Sequence, residues 1–273
     1  MTITRFVPDL ARRGFLLAML AFFLLPFLWL ATTAYKPSVE IFSIPPHFGF
    51  TPTFDQFAKV FLVFDIWRLI AVSMLIAGCS AFFSLLLGVP AGYALARSRH
   101  PLAMGIAYFF MAVRMIPAVA ALIPFYLMMR DIGLIGSWIS VVLINCMLNS
   151  AFVSWMMFSY FRSLPPELEE AALTDGCHQF AAFWRVALPA VRSGVIASTL
   201  FCVLFSWNDF LYPMFLTKLD SKPISVALLS AYGTKDITWG TLGALAHFST
   251  IPIVLIVLFL NRYFVQGLTR GIH

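Results

Sequence analysis

Arg114, Asn145, Asn149, Asn208 and Asp209 stand inside runs of apolar residues. An ionised side chain near the middle of a helix in lipid costs about 2.5–3.5 kcal/mol on insertion scales, so Arg114 and Asp209 must face protein or water. Hydrogen bonding and charge pairing are the chemistry open to such a set. The five residues either line or gate a path for a polar solute, or bond to one another and to neighbouring helices, as interhelical polar groups commonly do. Bond-making chemistry has no comparable foothold. The chain lacks a G-x-x-x-x-G-K-S/T phosphate loop, an H-E-x-x-H helix and a G-x-S-x-G nucleophile elbow, which argues for a non-catalytic chain with no catalytic residues. His47, His100, His178, His247 and His273 are far apart in sequence, and Cys79, Cys146, Cys177 and Cys202 have no C-x-x-C spacing. Free thiols are expected, with neither a disulfide framework nor a metal site.

A second patterned stretch, Glu170 to Pro189, carries charge in an otherwise apolar chain. Pro165 and Pro166 suit a first helical turn, whose N–H groups have no intrahelical partners, and Glu167, Glu169 and Glu170 place negative charge at the positive end of the helix dipole. Leu168, Ala171 and Ala172 fall at i, i+3 and i+4, an apolar stripe opposite the acids, and the turn dipeptide Asp175-Gly176 ends the helix. In a second short helix Phe180, Phe183, Trp184 and Ala187 share a face, Arg185 points elsewhere and Pro189 closes the element. The spacing predicts a compact helix-turn-helix outside the bilayer. It could be a solvated loop and nothing more, as charge runs often are.

The elements that position these residues follow from composition. With 61% hydrophobic and 11% charged residues among 273, and a mean hydropathy of +0.91, the chain is no ordinary water-soluble domain, in which about a quarter of residues are charged. Six apolar runs approach the length of a membrane span: about 14–35, 69–96 (interrupted by Gly88-Val89-Pro90), 102–129, 137–160, 194–216 and 241–264, with the charged loop at about 163–190. The first exceeds the roughly 7–15 apolar residues of a signal peptide and reads as a retained helix. All six are taken as one all-α membrane domain over 1–273. Segment 36–68 holds Pro37, Pro45, Pro46 and Pro52, too broken to span, and is expected over the outer face together with 217–240. Pro90, Pro117, Pro124 and Pro252 suit kinked helices. The net charge of +6 is scattered over the ends of apolar runs with no basic, aromatic-interleaved stripe, so nucleic acid is not the partner; membrane lipid is. With both termini inside, ten of the 18 Lys and Arg lie on the inner side, seven on longer outer loops, and Arg114 in the membrane. The excess puts both termini and the charged loop in the cytoplasm.

The loop carries a further pattern: Glu170-Ala171-Ala172, three residues, Gly176, nine residues, Val186, one residue, then Leu188-Pro189. This resembles the EAA loop of ATP-binding-cassette (ABC) importer permeases, with Val186 where the family usually has Ile. Pro26 to Pro37, Gly92 to Arg97 (GYALAR), Met115 to Tyr126, Ser206 to Leu211 (SWNDFL) and Gly267-Leu268-Thr269 resemble the carbohydrate-importer branch, most similar to the second, six-helix membrane subunit of the maltose type. The resemblance implies the six-helix core of type I importers, in the bacterial inner membrane. It implies a homologous second permease subunit, two ATPase subunits holding ATP and Mg, and an extracytoplasmic solute-binding protein, with no cofactor on this chain. Glu170, Ala171, Ala172, Asp175, Gly176, Leu188 and Pro189 would then couple to the ATPase, and the tail 267–273 would reach between the ATPases, although Arg270 and Ile272 depart from the usual small residues. In the maltose type the partner subunit makes most solute contacts, so no sugar site is assigned. Other readings are an ABC permease for a non-sugar solute, an ion-driven carrier and a membrane scaffold.

Overall fold

A computed structural model describes residues 3–45, 49–231 and 239–269, with side chains left undescribed for 3–10, 230–231 and 260–269. The order is α1 (Ile3–Thr33), α2 (Asp55–Val63), α3 (Ile66–Arg97), α4 (Leu102–Val113), α5 (Ala118–Asp131), α6 (Trp138–Arg162), α7 (Glu167–Thr174), α8 (Gln179–Ala182), a π turn (Phe183–Ala187), α9 (Leu188–Ala190), α10 (Arg192–Asn208), α11 (Leu211–Leu216), a 3-10 turn (Leu219–Ser221), α12 (Ile224–Ala231) and α13 (Trp239–Thr269). The described residues contain no strand, so the all-helical reading holds. In lipid each backbone N–H and C=O must be satisfied within its own segment, which long helices achieve.

Among the described residues, Ala11–Thr33, Ile66–Arg97, Trp138–Arg162 and Trp239–Phe259 are long and apolar enough to cross a membrane. The number rises to as many as six if the bent pairs Leu102–Val113 with Ala118–Asp131 and Gln179–Ala190 with Arg192–Asn208 each count as one span. The run 102–129 is not one helix. It breaks between α4 and α5 with a 92° bend, because Pro117 has no N–H to continue the ladder and disfavours helical backbone at Ile116. Pro90, Pro124 and Pro252 instead lie inside continuous helices, so Gly88-Val89-Pro90 does not interrupt the second run. The run 194–216 is divided at Asp209-Phe210 between α10 and α11. Within the Pro-rich segment 36–68, residues 55–63 form a helix. At the C-terminus, Gly267 to Thr269 end α13; Arg270 to His273, like His47 and Lys235, lie outside the described residues.

The helices pack as two compact units. In the smaller, residues 1–66 and 228–250, buried Gln56 donates Nε2 to Ser38 Oγ at 2.9 Å and accepts from Thr241 Oγ1 at 3.0 Å. The Tyr35 and Phe57 rings stand edge-on to His247, each 5.6 Å away, and the Lys36 ammonium covers the Trp29 ring at 4.5 Å.

The larger unit, residues 67–227 and 251–273, is built around α6, which packs against α4, α10 and α11. Gly88 and Gly92, four residues apart on α3, let α6 approach closely. A Cβ on Gly88 would lie 2.7 Å from the Val153 side chain, and one on Gly92 would lie 2.7 Å from the Ser154 carbonyl. This small-residue crossing, of the kind that membrane helices use where the hydrophobic effect cannot drive association, leads α3 and α6 together toward the loop at 163–190.

Candidate functional site

The loop folds as the spacing suggests up to its turn. Pro166 leads into α7, whose first turn holds Glu167, Glu169 and Glu170. Asp175 caps its end, and Gly176 takes φ +88. The Gly176 and Cys177 N–H groups donate back to the Leu173 and Ala172 carbonyls at 3.1 and 3.0 Å, the double bond of a left-handed helix stop. His178 opens α8 by accepting from the Ala181 N–H at its Nδ1, 3.1 Å away. Pro189 lies in the last turn of this arm: the chain runs through the π turn, where Leu188 N–H donates to the Phe183 carbonyl five residues back, into α9, which stops at Ala190 before a 76° bend into α10.

Which side of each helix faces inward departs from the expected stripe. Ala172 is buried but Leu168 is 47% exposed and Ala171 is exposed, while Glu169 turns inward at 7% exposure. The carboxylate is drawn in because donors await it. Arg97 Nε and Nη2 donate to Glu169 Oε1 at 3.0 and 2.6 Å, and Tyr93 Oη donates to Oε2 at 2.7 Å. Arg97 also reaches the carbonyls of Phe161 at 3.0 Å and Leu164 at 3.3 Å. Such a fork, with charge-assisted bonds on a fixed plane, suits arginine and no other cation. Of the four residues expected on one face of the second arm, Phe183 and Ala187 are buried among Val153, Met157 and Phe161. Phe180 and Trp184 are 67% and 50% exposed. Phe183 fills the slot beside Tyr93 and Phe161, at ring distances of 4.7 and 6.1 Å, which leaves Phe180 and Trp184 packed edge-on to each other outside it. Glu170, Asp175, Gly176 and Pro189 are exposed and Leu188 is half-buried.

Four of the five polar residues in the apolar runs meet at one cavity. Arg114, Asn145, Asn208 and Asp209 line a space of about 730 Å³ whose other walls include Phe125, Leu148, Phe205 and Tyr212. Both charged members sit at helix breaks: Arg114 ends α4, and Asp209 ends α10 while its Oδ1 accepts from the Tyr212 N–H at 3.4 Å. Arg114 and Asp209 form no ion pair among the described residues. Arg114 instead donates Nη1 to Asn149 Oδ1 at 3.0 Å and lies 3.8 Å from the centre of the Phe205 ring. Asn149 is fully buried and passes the connection on, donating Nδ2 to Ser206 Oγ at 3.0 Å. It ties α4, α6 and α10 together and does not line the cavity. Asn208 Nδ2 returns to its own helix at the Leu204 carbonyl, 2.8 Å away. Asn145 Nδ2 and Asp209 Oδ2 are buried, and the Asn145 side-chain amide faces the Asp209 carboxylate.

Glu169, Arg97, Tyr93, Gly88 and Gly92 are absent from the sequence-derived site. Their signals were present: Gly88 and Gly92 share a G-x-x-x-G spacing, Tyr93 and Arg97 are four apart on one face of α3, and Glu169 lies three before buried Ala172. The described residues hold no cluster of His, Cys, Asp and Glu that could bind a metal ion.

Comparison with known proteins places the chain. A probable ABC transporter permease protein of Sinorhizobium fredii is 31% identical over 91% of this chain and 90% of its own length. The diacetylchitobiose uptake system permease protein DasC of Streptomyces coelicolor is 29% identical over 90% of each. Among solved structures, a chain of a bacterial ABC transporter involved in the import of the acidic polysaccharide alginate has the same fold, with a TM-score of 0.80, 21% identity, and coverage of 97% of this chain and 99% of that one. Residues 88–270, which contain both the hairpin and the cavity, match the profile of one family. This chain belongs to the family of binding-protein-dependent transport system inner membrane components.

Proposed function

We propose that this chain is a non-catalytic membrane subunit of an ABC importer that moves a sugar or sugar-like solute inward. ATP and Mg are held by two separate ATPase subunits, a homologous second permease completes the pathway, and an extracytoplasmic binding protein delivers the solute. Both termini and the 163–190 hairpin lie in the cytoplasm, as the distribution of Lys and Arg supports. The observation that carries the reading is the hairpin's two-sidedness. Its inner side is anchored to α3 and α6, while Leu168, Leu173, Phe180 and Trp184 remain 41% to 67% exposed around Glu170. Exposed aromatic and aliphatic groups beside a charge mark a protein interface, and on this reading the ATPase covers them. Ala171 and Gly176 allow close approach there.

Arg114, Asn145, Asn208 and Asp209 belong to the solute path in this scheme, with Asn149 as their support. Broken backbone at membrane depth is tolerated where it lines a water-filled cavity, and both charged residues sit at such breaks. The sugar cargo is supported by the relative named for diacetylchitobiose uptake. The test is co-purification from detergent of this chain with its ATPase and second-permease chains, comparing wild type with Glu170→Lys. Loss of the ATPase from the mutant alone supports the reading; equal recovery and equal ATP hydrolysis overturn it.

A further inference from the structure

Glu169 and Glu170 are adjacent acids with opposite fates. Glu170 is exposed, whereas Glu169 is 7% exposed and saturated by Arg97 and Tyr93. We infer that Glu169, held by Arg97 and Tyr93, is the positioning residue that transmits hairpin movement to the membrane helices. This rests on the coupling role proposed above for the hairpin. The geometry is that of a joint rather than a surface ion pair. Tyr93 and Arg97 project from the end of α3, the Phe161 and Leu164 carbonyls belong to the end of α6 and the residues just after it, and Glu169 sits in the first turn of α7. One guanidinium thus binds three segments at once. Exposed ion pairs with free side chains transmit little, since they exchange with water; the Glu169 side chain, 9% exposed, and the Arg97 side chain, 20% exposed, have little water to exchange with. The Tyr93 ring, 4.7 Å from Phe183, fixes the second arm of the hairpin to the same point. Upstream, Gly88 and Gly92 hold α3 against α6 with backbone-level contact. A push on Glu170, Phe180 or Trp184 therefore reaches α3 and α6 as one body.

The experiment uses the assembled importer in lipid nanodiscs, with nitroxide pairs on a cysteine-free background. One pair, at Thr174 and Ser159, reports the hairpin against α6; a second, at Ala121 and Leu204, spans the cavity. Distances are measured nucleotide-free and after vanadate trapping. In wild type the first distance distribution stays narrow and the second shifts on trapping. In Glu169→Gln the first distribution broadens about twofold and the second shift falls by at least about half, with the ATPases still bound. Arg97→Lys behaves in the same way, because an ammonium cannot span a carboxylate and two carbonyls. Tyr93→Phe keeps the ion pair and the ring contacts with Phe161 and Phe183 and gives a smaller change of the same kind; it decides the matter if the ionic variants fail to assemble. Unchanged distributions and an unchanged shift in the variants that assemble overturn the inference. If wild type shows no shift on trapping, or Glu170→Lys still couples, the fault lies in the proposed function instead.

Discussion

Replacing Gly92 with alanine pits a single methyl against the crossing of α3 and α6. The new Cβ would stand 2.7 Å from the Ser154 carbonyl oxygen, 2.8 Å from Met157 Cβ and 2.9 Å from the Phe158 nitrogen, where ordinary contact begins at 3.4 Å. Two of the three obstacles are backbone atoms of α6, so no rotamer change relieves them, and the step from 2.7 to 3.4 Å requires the helices to part by roughly 0.7 Å. A gap of that size forfeits about a quarter to a half of each dispersion contact along the seam, and overpacking of this kind costs about 1–3 kcal/mol. Gly78→Ala, on the same helix with nothing within 4 Å, is the control. Measured by reversible unfolding in mixed micelles titrated with SDS, where helices persist in the unfolded state and propensity largely cancels, Gly92→Ala should lose about 2–3 kcal/mol. Gly78→Ala should stay within about 0.5 kcal/mol of wild type. Gly88→Ala, whose Cβ would lie 2.7 Å from Val153 and 2.9 Å from the Ser150 carbonyl, should match Gly92→Ala. The double variant should cost clearly less than the two together, because one separation of the helices relieves both clashes. Equal stability of Gly92→Ala and Gly78→Ala would refute the close crossing.

Gly176→Pro forces φ near −65° where the chain holds +88°; the turn is lost, and co-purification should show the membrane subunit inserted but without its ATPase. Phe180→Ala with Trp184→Ala removes two exposed rings, so unfolding should be unchanged within about 0.5 kcal/mol. ATPase binding should weaken by about thirtyfold, the effect of losing a hot spot worth about 2 kcal/mol; unchanged affinity by titration would place the ATPase elsewhere. Asp209→Asn keeps the Oδ1 acceptor for the Tyr212 N–H and so keeps the fold. It removes a carboxylate from the cavity wall, and uptake by reconstituted importer should fall at least about tenfold; full uptake would remove Asp209 from the path.

Residue types along the chain determined a good deal on their own. Six apolar runs announce helices because a bilayer admits no other way for a single chain of this composition to satisfy its backbone, and Asp175-Gly176 announces its turn because φ +88 is open to glycine and hardly to anything else. The break at Pro117 was readable only as a kink, since Pro90, Pro124 and Pro252 carry the same signal and leave their helices unbroken. In the hairpin the facing sides were readable in part, with Ala172, Phe183 and Ala187 buried as their stripes suggest; in the membrane helices they were not. A helix apolar on every side has no stripe to say which side meets protein, because lipid and a neighbouring helix are equally apolar. Only the tertiary structure decided that Arg114 pairs with Asn149 and not with Asp209, that Glu169 turns inward while Leu168 turns out, and that Gly88 and Gly92 meet α6. Each of those outcomes depends on donors or surfaces more than thirty residues away along the chain, and such distances leave no trace in local pattern.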